Sequence, residues 1–356
     1  MSRLLILTDE QSAFLVSKAD LRNFTLMDVE SICSLFKEKN YDLSVCKFSE
    51  LDLTKSYNGY FILYQTSEAP GGFYKRYIED IVYHLEKQGA VVLPRFEYLK
   101  AHHNKVYMEL LRSDFSDESL KSVKSYCFGS WVDARRYSGT FPVVIKQASG
   151  SAGKGVYLAR NKREYLKKTK KAARILISSV LTDMIITYTR NLAKKTIKLI
   201  YPSRSGYVAY DTEPISNSLI VQDFISGLSG DYKVLFFGGR FYCMYRKNRN
   251  NDFRASGSGR FSEVPGEEHA GLLEYARRVT LEIDFPVIGM DIGFDGDSYH
   301  LIEFQMIDIG TSALQRSKFW HEYNNGQWCR YDGTSILEEE FVRAIDGFIC
   351  KLKLRG

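Results

Sequence analysis

The stretch Phe141-Pro142-Val143-Val144-Ile145-Lys146-Gln147-Ala148-Ser149-Gly150-Ser151-Ala152-Gly153-Lys154-Gly155-Val156-Tyr157-Leu158-Ala159 decides how the rest of the chain is read. An apolar run, Pro142 to Ile145, closes on Lys146 and is followed by a glycine-rich loop and a second apolar run. Valine and isoleucine suit half-buried pleated backbone, whereas Gly150, Gly153 and Gly155 permit positive φ and close backbone approach. Such a loop can turn successive N–H groups toward one point and form a nest for phosphate oxygens. Lys146 and Lys154 add positive charge at its two ends. A Walker A loop is excluded, because Ala148 and Gly155 stand where that pattern needs glycine and serine or threonine. The order G-x-x-G-x-G is not the dinucleotide fingerprint, and no His-Arg-Asp loop follows as in protein kinases. The same residues would also suit an ordinary hairpin with a solvated loop, so the remainder of the chain has to decide.

With 356 residues the chain can bury a large core, and its 44% hydrophobic and 26% charged composition is that of a globular protein. No apolar run is long enough to span a bilayer, and the apolar part of the N-terminal segment is too short for a signal peptide. Cys33, Cys46, Cys127, Cys243, Cys329 and Cys350 are scattered without a C-x-x-C pair, which predicts reduced thiols in a cytoplasmic protein. The net charge of +6 is concentrated. Between Lys162 and Lys198 eleven lysines and arginines meet only Glu164 and Asp183, so the rest of the chain is net acidic. This segment reads as a solvated helical face, with an anionic partner (nucleic acid or acidic lipid) as the functional alternative.

Residues 1–100 alternate strand and helix patterns. Strands are expected at Leu4–Thr8, Leu43–Phe48, Tyr60–Gln65 and Ala90–Leu93, and helices at Asp28–Lys39 and Tyr74–Gln88. That alternation predicts a parallel, Rossmann-like α/β domain. Ligands meet such sheets at the carboxyl ends of strands, which marks Gln65-Thr66-Ser67-Glu68 as a candidate substrate loop beside its reading as a polar turn. A helix is expected over Val106–Leu111, after Asn104-Lys105, and an irregular stretch over Gly129–Gly139. Beyond Ser218 the pattern is rich in strands: Leu219–Ile225, a hairpin around Gly238-Gly239, a helix at Glu268–Leu281, and a hairpin around Asp295-Gly296-Asp297. The aromatics Phe319, Trp320, Tyr323, Trp328 and Tyr331 read as helix packing, or else as the lining of a substrate pocket.

The last hairpin carries a register argument. If Asp295–Asp297 is a three-residue loop, Phe294 faces Ser298 and Asp291 faces Leu301. Asp291, Glu303 and Gln305 then project from one surface, because side chains alternate along a strand. Two carboxylates and an amide oxygen are hard donors suited to Mg²⁺. A lone carboxylate within the apolar strands VIGMDIGF or LIEFQ would be costly to bury, which favours a metal over a polar sheet face.

Taken together, these segments resemble the ATP-grasp superfamily, most closely its glutathione-synthetase and RimK-type carboxylate–amine ligase branch. The resemblance covers residues 100–310 and implies three parts: a preceding α/β domain over 1–100, a lid subdomain over 101–218 and a C-terminal subdomain over 219–356. It implies that Lys105, Lys146 and the Gly150, Ser151, Gly153, Lys154, Gly155 lid hold ATP, which would sit between that lid and the C-terminal sheet. Gln222, Asp223, Phe224 and Ile225 resemble the strand that receives adenine. Asp231 and Lys233 fall in a segment similar to G-D-x-R-V, with lysine for arginine. Arg246 and Arg254 resemble the arginines facing the transferred phosphate, and Asp291, Glu303 and Gln305 the Mg²⁺ ligands. Three departures are visible. Gln305 replaces asparagine, Ser256 stands where asparagine is expected, and Met306–Ser312 does not match the usual ending. The implied reaction is ATP-dependent ligation of a small-molecule or peptide carboxylate to an amine through an acyl phosphate, with an oligomer possible. A kinase acting on a hydroxyl and a non-catalytic nucleotide-binding module are the alternatives.

Overall fold

Leu4, Ile6, Leu5 and Leu7 are all buried, the even-numbered pair in one apolar cluster and the odd-numbered pair in another. A strand buried on both faces belongs in the middle of a covered parallel sheet. In the computed structural model it lies there: the spatial order is Asp42–Lys47, Arg3–Thr8, Phe61–Tyr64, Val91–Leu93, every pair parallel. Helices Val29–Glu38 and Phe73–Lys87 supply the crossovers, the first capped by the Asp28 side chain accepting from the Glu30 N–H. The structure describes residues 2–355 except 11, 13, 20–23, 68–71, 151, 152, 154, 175–215, 251, 255–259 and 265–268.

The chain forms two compact units, Met1–Val123 with Ile225–Gly356, and Lys124–Phe224. This grouping differs from the three consecutive segments 1–100, 101–218 and 219–356, because the first and last parts of the chain pack as one body. Tyr41 Oη donates to Asp346 Oδ1 at 2.8 Å, Lys39 Nζ lies 2.9 Å from Asp346 Oδ2, and the Asp28 N–H donates to Glu338 Oε1 at 3.1 Å.

The first unit also holds a larger antiparallel sheet. Its strand order is Tyr299–Gln305, Val287–Phe294, Gly230–Phe237, Arg240–Lys247, Phe319–Asn324, Gln327–Asp332, with the short Phe261–Ser262 strand also pairing with Arg240–Lys247. Gly238 and Gly239, both at positive φ, make the two-residue turn between Phe237 and Arg240. Helices His269–Glu282 and Leu337–Arg355 contribute buried faces to the core of this unit.

The structure departs from the sequence pattern at two places here. The aromatic stretch is not helical: Phe319–Asn324 and Gln327–Asp332 are a β-hairpin turning at Asn325-Gly326, both at positive φ. Residues 14–27 contain a further hairpin, Phe14–Ala19 with Phe24–Met27, that the pattern did not suggest.

The second unit is an antiparallel sheet in the order Ser125–Phe128, Leu219–Asp223, Val143–Gln147, Val156–Ala159. One face packs Val143, Ile145, Leu219 and Val221 against Tyr165 and Ala172 of helix Lys162–Ala172 and against Ala134 of the short helix Trp131–Ala134. The Gly129–Gly139 stretch is therefore not wholly irregular.

Candidate active site

In the first unit the candidate residues fall on the larger sheet and on one helix beside it. Asn104 caps helix Lys105–Ser113 by accepting from the Tyr107 N–H at 3.2 Å, which places Lys105 in the first turn. Lys105 Nζ donates to Glu303 Oε1 at 2.9 Å. Within the sheet, Lys233 lies opposite Asp291, and Asp291 opposite Glu303. Lys233 Nζ stands 3.1 Å from Asp291 Oδ1. Arg246 faces Asp231 and grips it with two bonds, Nε to Oδ1 at 2.8 Å and Nη2 to Oδ2 at 2.6 Å. Its Nη2 also donates to Asp291 Oδ2 at 2.8 Å. Lys233, Asp291, Arg246 and Asp231 thus form one chain of alternating charges, with the Lys105–Glu303 pair beside it on the neighbouring strand, and four of the six (Lys105, Asp231, Lys233, Arg246) are buried.

That chain sets the protonation states. Burial alone would push the Asp291 carboxyl up, but Arg246 and Lys233 outweigh it and hold the group well below the usual carboxylate range. Asp231 goes the other way: burial and the neighbouring Asp291 charge push it up to about 6 despite its bonds to Arg246. Of the two, Asp291 therefore loses its proton first.

The Asp291–Glu303 juxtaposition arises differently from the expected register. Phe294 pairs with Tyr299, not Ser298, and Ile292 with Leu301, so Leu301 does not face Asp291. The turn is longer because Asp295 Oδ1 accepts the N–H groups of both Asp297 and Ser298, at 2.9 and 2.8 Å, drawing Ser298 into it. In that register alone Asp291 would face Ile302, and Glu303 would point to the opposite surface. A bulge between Asp291 and Ile292 leaves Ile302 unpaired and restores Asp291 opposite Glu303. Gln305 follows on the same face, opposite Gly289.

The donor set fits a hard divalent ion. Oδ1 of Asp291 is buried and accepts no well-formed hydrogen bond, although Lys233 is near. The Gln305 amide nitrogen donates to the Asp308 carbonyl at 3.1 Å, which leaves its oxygen for another partner. Among the described residues no group of three or more His, Cys, Asp or Glu could make a closed metal cage. Two carboxylates and an amide suit Mg²⁺, which retains waters and phosphate oxygens in its shell.

Arg254 pairs with a carboxylate of its own segment. Its guanidinium lies on Asp252, Nε at 3.0 Å from Oδ1 and Nη2 at 2.6 Å from Oδ2. Ser256 lies outside the described residues.

In the second unit Lys146 sits inside strand Val143–Gln147, opposite Ile220 and Val156, and shares a sheet face with Gln222. Gln222 Nε2 donates to Ser125 Oγ at 2.8 Å. The face they share is the one turned away from the Tyr165–Ala172 helix side. Gly150, Gly153 and Gly155 all take positive φ, and a Cβ on Gly155 would lie 2.3 Å from Gln147 Oε1. Ser151 and Lys154 lie outside the described residues. Strand Leu219–Asp223 stops one residue before Phe224, and the division between the units falls between Phe224 and Ile225. Asp223 pairs with Val143 and alternates to the packed face.

Of the basic segment, helix Lys162–Ala172 is described and 175–198 is not. Several of its cations have local partners: Lys162 on the Arg135 and Tyr137 carbonyls, Lys168 on Glu164, Lys170 over Trp131 and Lys171 over Tyr157. In the first unit Gln65, Thr66 and Ser67 are buried at the end of Phe61–Tyr64, and Glu68 is not described. No helix among the described residues is long and apolar enough to cross a membrane.

No family sequence model and no curated protein sequence matches this chain. Solved structures do. The D-cycloserine synthetase DcsG is similar with a TM-score of 0.52 at 10% identity, over 96% of this chain and 98% of its own. D-alanyl-alanine synthetase A from Vibrio cholerae O1 biovar eltor scores 0.51 at 14% identity, over 98% and 99%. The ADP complex of PurK, an N5-carboxyaminoimidazole ribonucleotide synthetase, scores 0.50 at 11% identity, over 89% and 73%. At such identities the likeness is one of fold.

Proposed function

The chain has the ATP-grasp fold, and on that premise we propose that it is an ATP-dependent carboxylate–amine ligase working through an acyl phosphate. The observation that carries this reading is the set of ion pairs Lys105–Glu303, Lys233–Asp291 and Arg246–Asp231, gathered by four strands and a helix onto one surface. A scaffold gains nothing from so many partly buried charges, whereas phosphoryl transfer needs positioned cations beside metal-binding carboxylates.

The roles divide as follows. Asp291 and Glu303, with the Gln305 amide oxygen, would hold Mg²⁺, whose contribution when bound is to offset phosphate charge. Lys105 and Lys233 rest on those same carboxylates, and with Mg²⁺ held there they would be available to phosphate oxygens. Lys146 and the loop of Gly150, Ser151, Gly153, Lys154 and Gly155 would bind the phosphates, and Gln222, Asp223, Phe224 and Ile225 the base. Arg246, steadied by Asp231, and Arg254 would neutralise charge on the transferred group. The substrate carboxylate attacks the terminal phosphorus and ADP leaves. The amine then attacks the carbonyl carbon, and phosphate leaves with one former carboxylate oxygen. No side-chain nucleophile is needed. The neighbouring synthetases are named for small amino-acid-derived or carboxylated products, which supports a small-molecule or peptide carboxylate and amine here.

Calorimetry tests the nucleotide assignment. ATP binding should require Mg²⁺, Lys146→Ala should weaken it, and Glu303→Gln should weaken its dependence on Mg²⁺. Unchanged ATP affinity in Lys146→Ala would remove the phosphate role of that lysine.

A further inference from the structure

The bulge that sets Asp291 opposite Glu303 has an energetic problem of its own. An inserted residue disrupts the ladder and leaves backbone groups without strand partners, and buried backbone N–H and C=O groups need partners from elsewhere. At this bulge, on an edge strand, two backbone groups are taken by side chains from two helices. The Leu301 N–H donates to Tyr275 Oη at 2.9 Å, and the Ile302 carbonyl accepts from Arg112 Nη2 at 3.2 Å. Tyr275 belongs to helix His269–Glu282 and Arg112 to helix Lys105–Ser113. Both side chains are buried, as is Leu301.

Arg112 is an expensive residue to bury for one carbonyl. It is 2% exposed, and its Nε and Nη1 are buried without hydrogen-bond partners. The carboxylate of Glu109 lies 3.5 Å away and the Phe304 ring 5.8 Å away, so the guanidinium is fixed against the strand that carries Glu303. Lys105 and Arg112 are seven residues apart, two helical turns, and hence on one side of their helix. Lys105 meets the Glu303 carboxylate, and Arg112 meets the backbone one residue earlier.

We propose that Arg112 and Tyr275 are positioning residues for the metal pair: together they hold the bulge at Ile302 that brings Glu303 onto the face of Asp291. The proposal rests on the metal role given to Asp291 and Glu303. Without the bulge the hairpin would keep the register of its turn, and Glu303 would lie on the opposite surface from Asp291. Partners that orient metal ligands commonly alter affinity 10–100-fold when removed.

The test uses the full chain and two readouts besides turnover. The Mg²⁺ concentration that half-saturates ATP binding is measured by calorimetry for wild type, Tyr275→Phe, Arg112→Met, Arg112→Lys and Glu303→Gln. Exchange of the Leu301 amide is followed without nucleotide or metal. Tyr275→Phe keeps the ring and loses only the acceptor. It should raise the half-saturating Mg²⁺ about 10-fold and speed exchange at Leu301. Arg112→Met should do the same to Mg²⁺, and Arg112→Lys, which retains a donor, should recover part of it. Wild-type Mg²⁺ dependence in Tyr275→Phe and Arg112→Met, beside a lost dependence in Glu303→Gln, would overturn the positioning role and leave the metal site intact. Unchanged dependence in Glu303→Gln would overturn the metal site itself, and the proposal with it.

Discussion

Arg246 shares one buried guanidinium between Asp231 and Asp291, whereas the Arg254 guanidinium lies on Asp252, two residues before it, in a more exposed setting. The two arginines, alike in the sequence, should therefore behave differently when removed. Arg246→Ala leaves Asp231 buried without its bonded cation and Asp291 with Lys233 alone, and breaking a buried pair typically costs about 3–5 kcal/mol. Arg254→Ala breaks a partly exposed local pair, for which about 1 kcal/mol or less is usual. Denaturant unfolding without nucleotide checks this. Equal losses for the two variants would contradict the reading of Arg246 as the support of the carboxylate pair. Any turnover assay on Arg246→Ala must be read beside that loss, and Arg246→Lys is the better probe of phosphate transfer. At this scale the sequence is informative about residue type: carboxylates inside apolar strands and lysines closing them are visible as such. It does not say which cation meets which anion. Nothing in the spacing joins Lys105 to Glu303 across 198 positions, or marks Arg112 as a partner of the same strand.

Among the elements, the two C-terminal hairpins show what a pattern can and cannot decide. The Asp291–Glu303 face was reached through a register that does not occur, because a longer turn and a bulge each shift the pairing by one and together restore the face. Alternating apolar residues fit either register, and a bulge has no residue signature in Leu301–Glu303. The aromatic hairpin departs from the expected helix for another reason. Phe319 and Tyr323, or Trp328 and Tyr331, have helical spacing, yet Asn325-Gly326 between them is a strong hairpin signal that outweighs it. This hairpin carries His321, whose ring lies 5.2 Å from that of His269. Burial, His269 and Arg330 lower His321 to about 4, and burial and Arg330 lower His269, with Glu263 opposing. A histidine with a depressed folded pKa contributes stability that is present above about pH 6.5 and lost as pH falls toward 4. For His321 the loss amounts to about 3 kcal/mol at most. Asp231, raised to about 6, acts in the opposite sense over the same window, so the comparison is with His321→Phe. That variant should lose less stability between pH 6.5 and 4.5 than wild type in thermal unfolding. Parallel curves would rule out the histidine origin.

For the whole molecule, the α/β class and the alternation of the first hundred residues were legible because strand and helix periods differ. The grouping of 1–123 with 225–356 was not, since it depends on contacts such as Tyr41 with Asp346 between the chain's two ends. Lys146 and the glycine loop belong to the second unit, Lys105 and the carboxylates to the first. The central claim is that they serve an acyl-phosphate ligase. It is tested by incubating the protein with ATP, Mg²⁺ and a panel of amino acids and dipeptides bearing ¹⁸O in the carboxylate, with hydroxylamine as the accepting amine. Hydroxylamine attacks an acyl phosphate at carbon, so the account predicts a hydroxamate together with inorganic phosphate carrying one ¹⁸O. ADP accompanied by a stable phosphorylated product, with no ¹⁸O in free phosphate, would contradict it and make the protein a kinase.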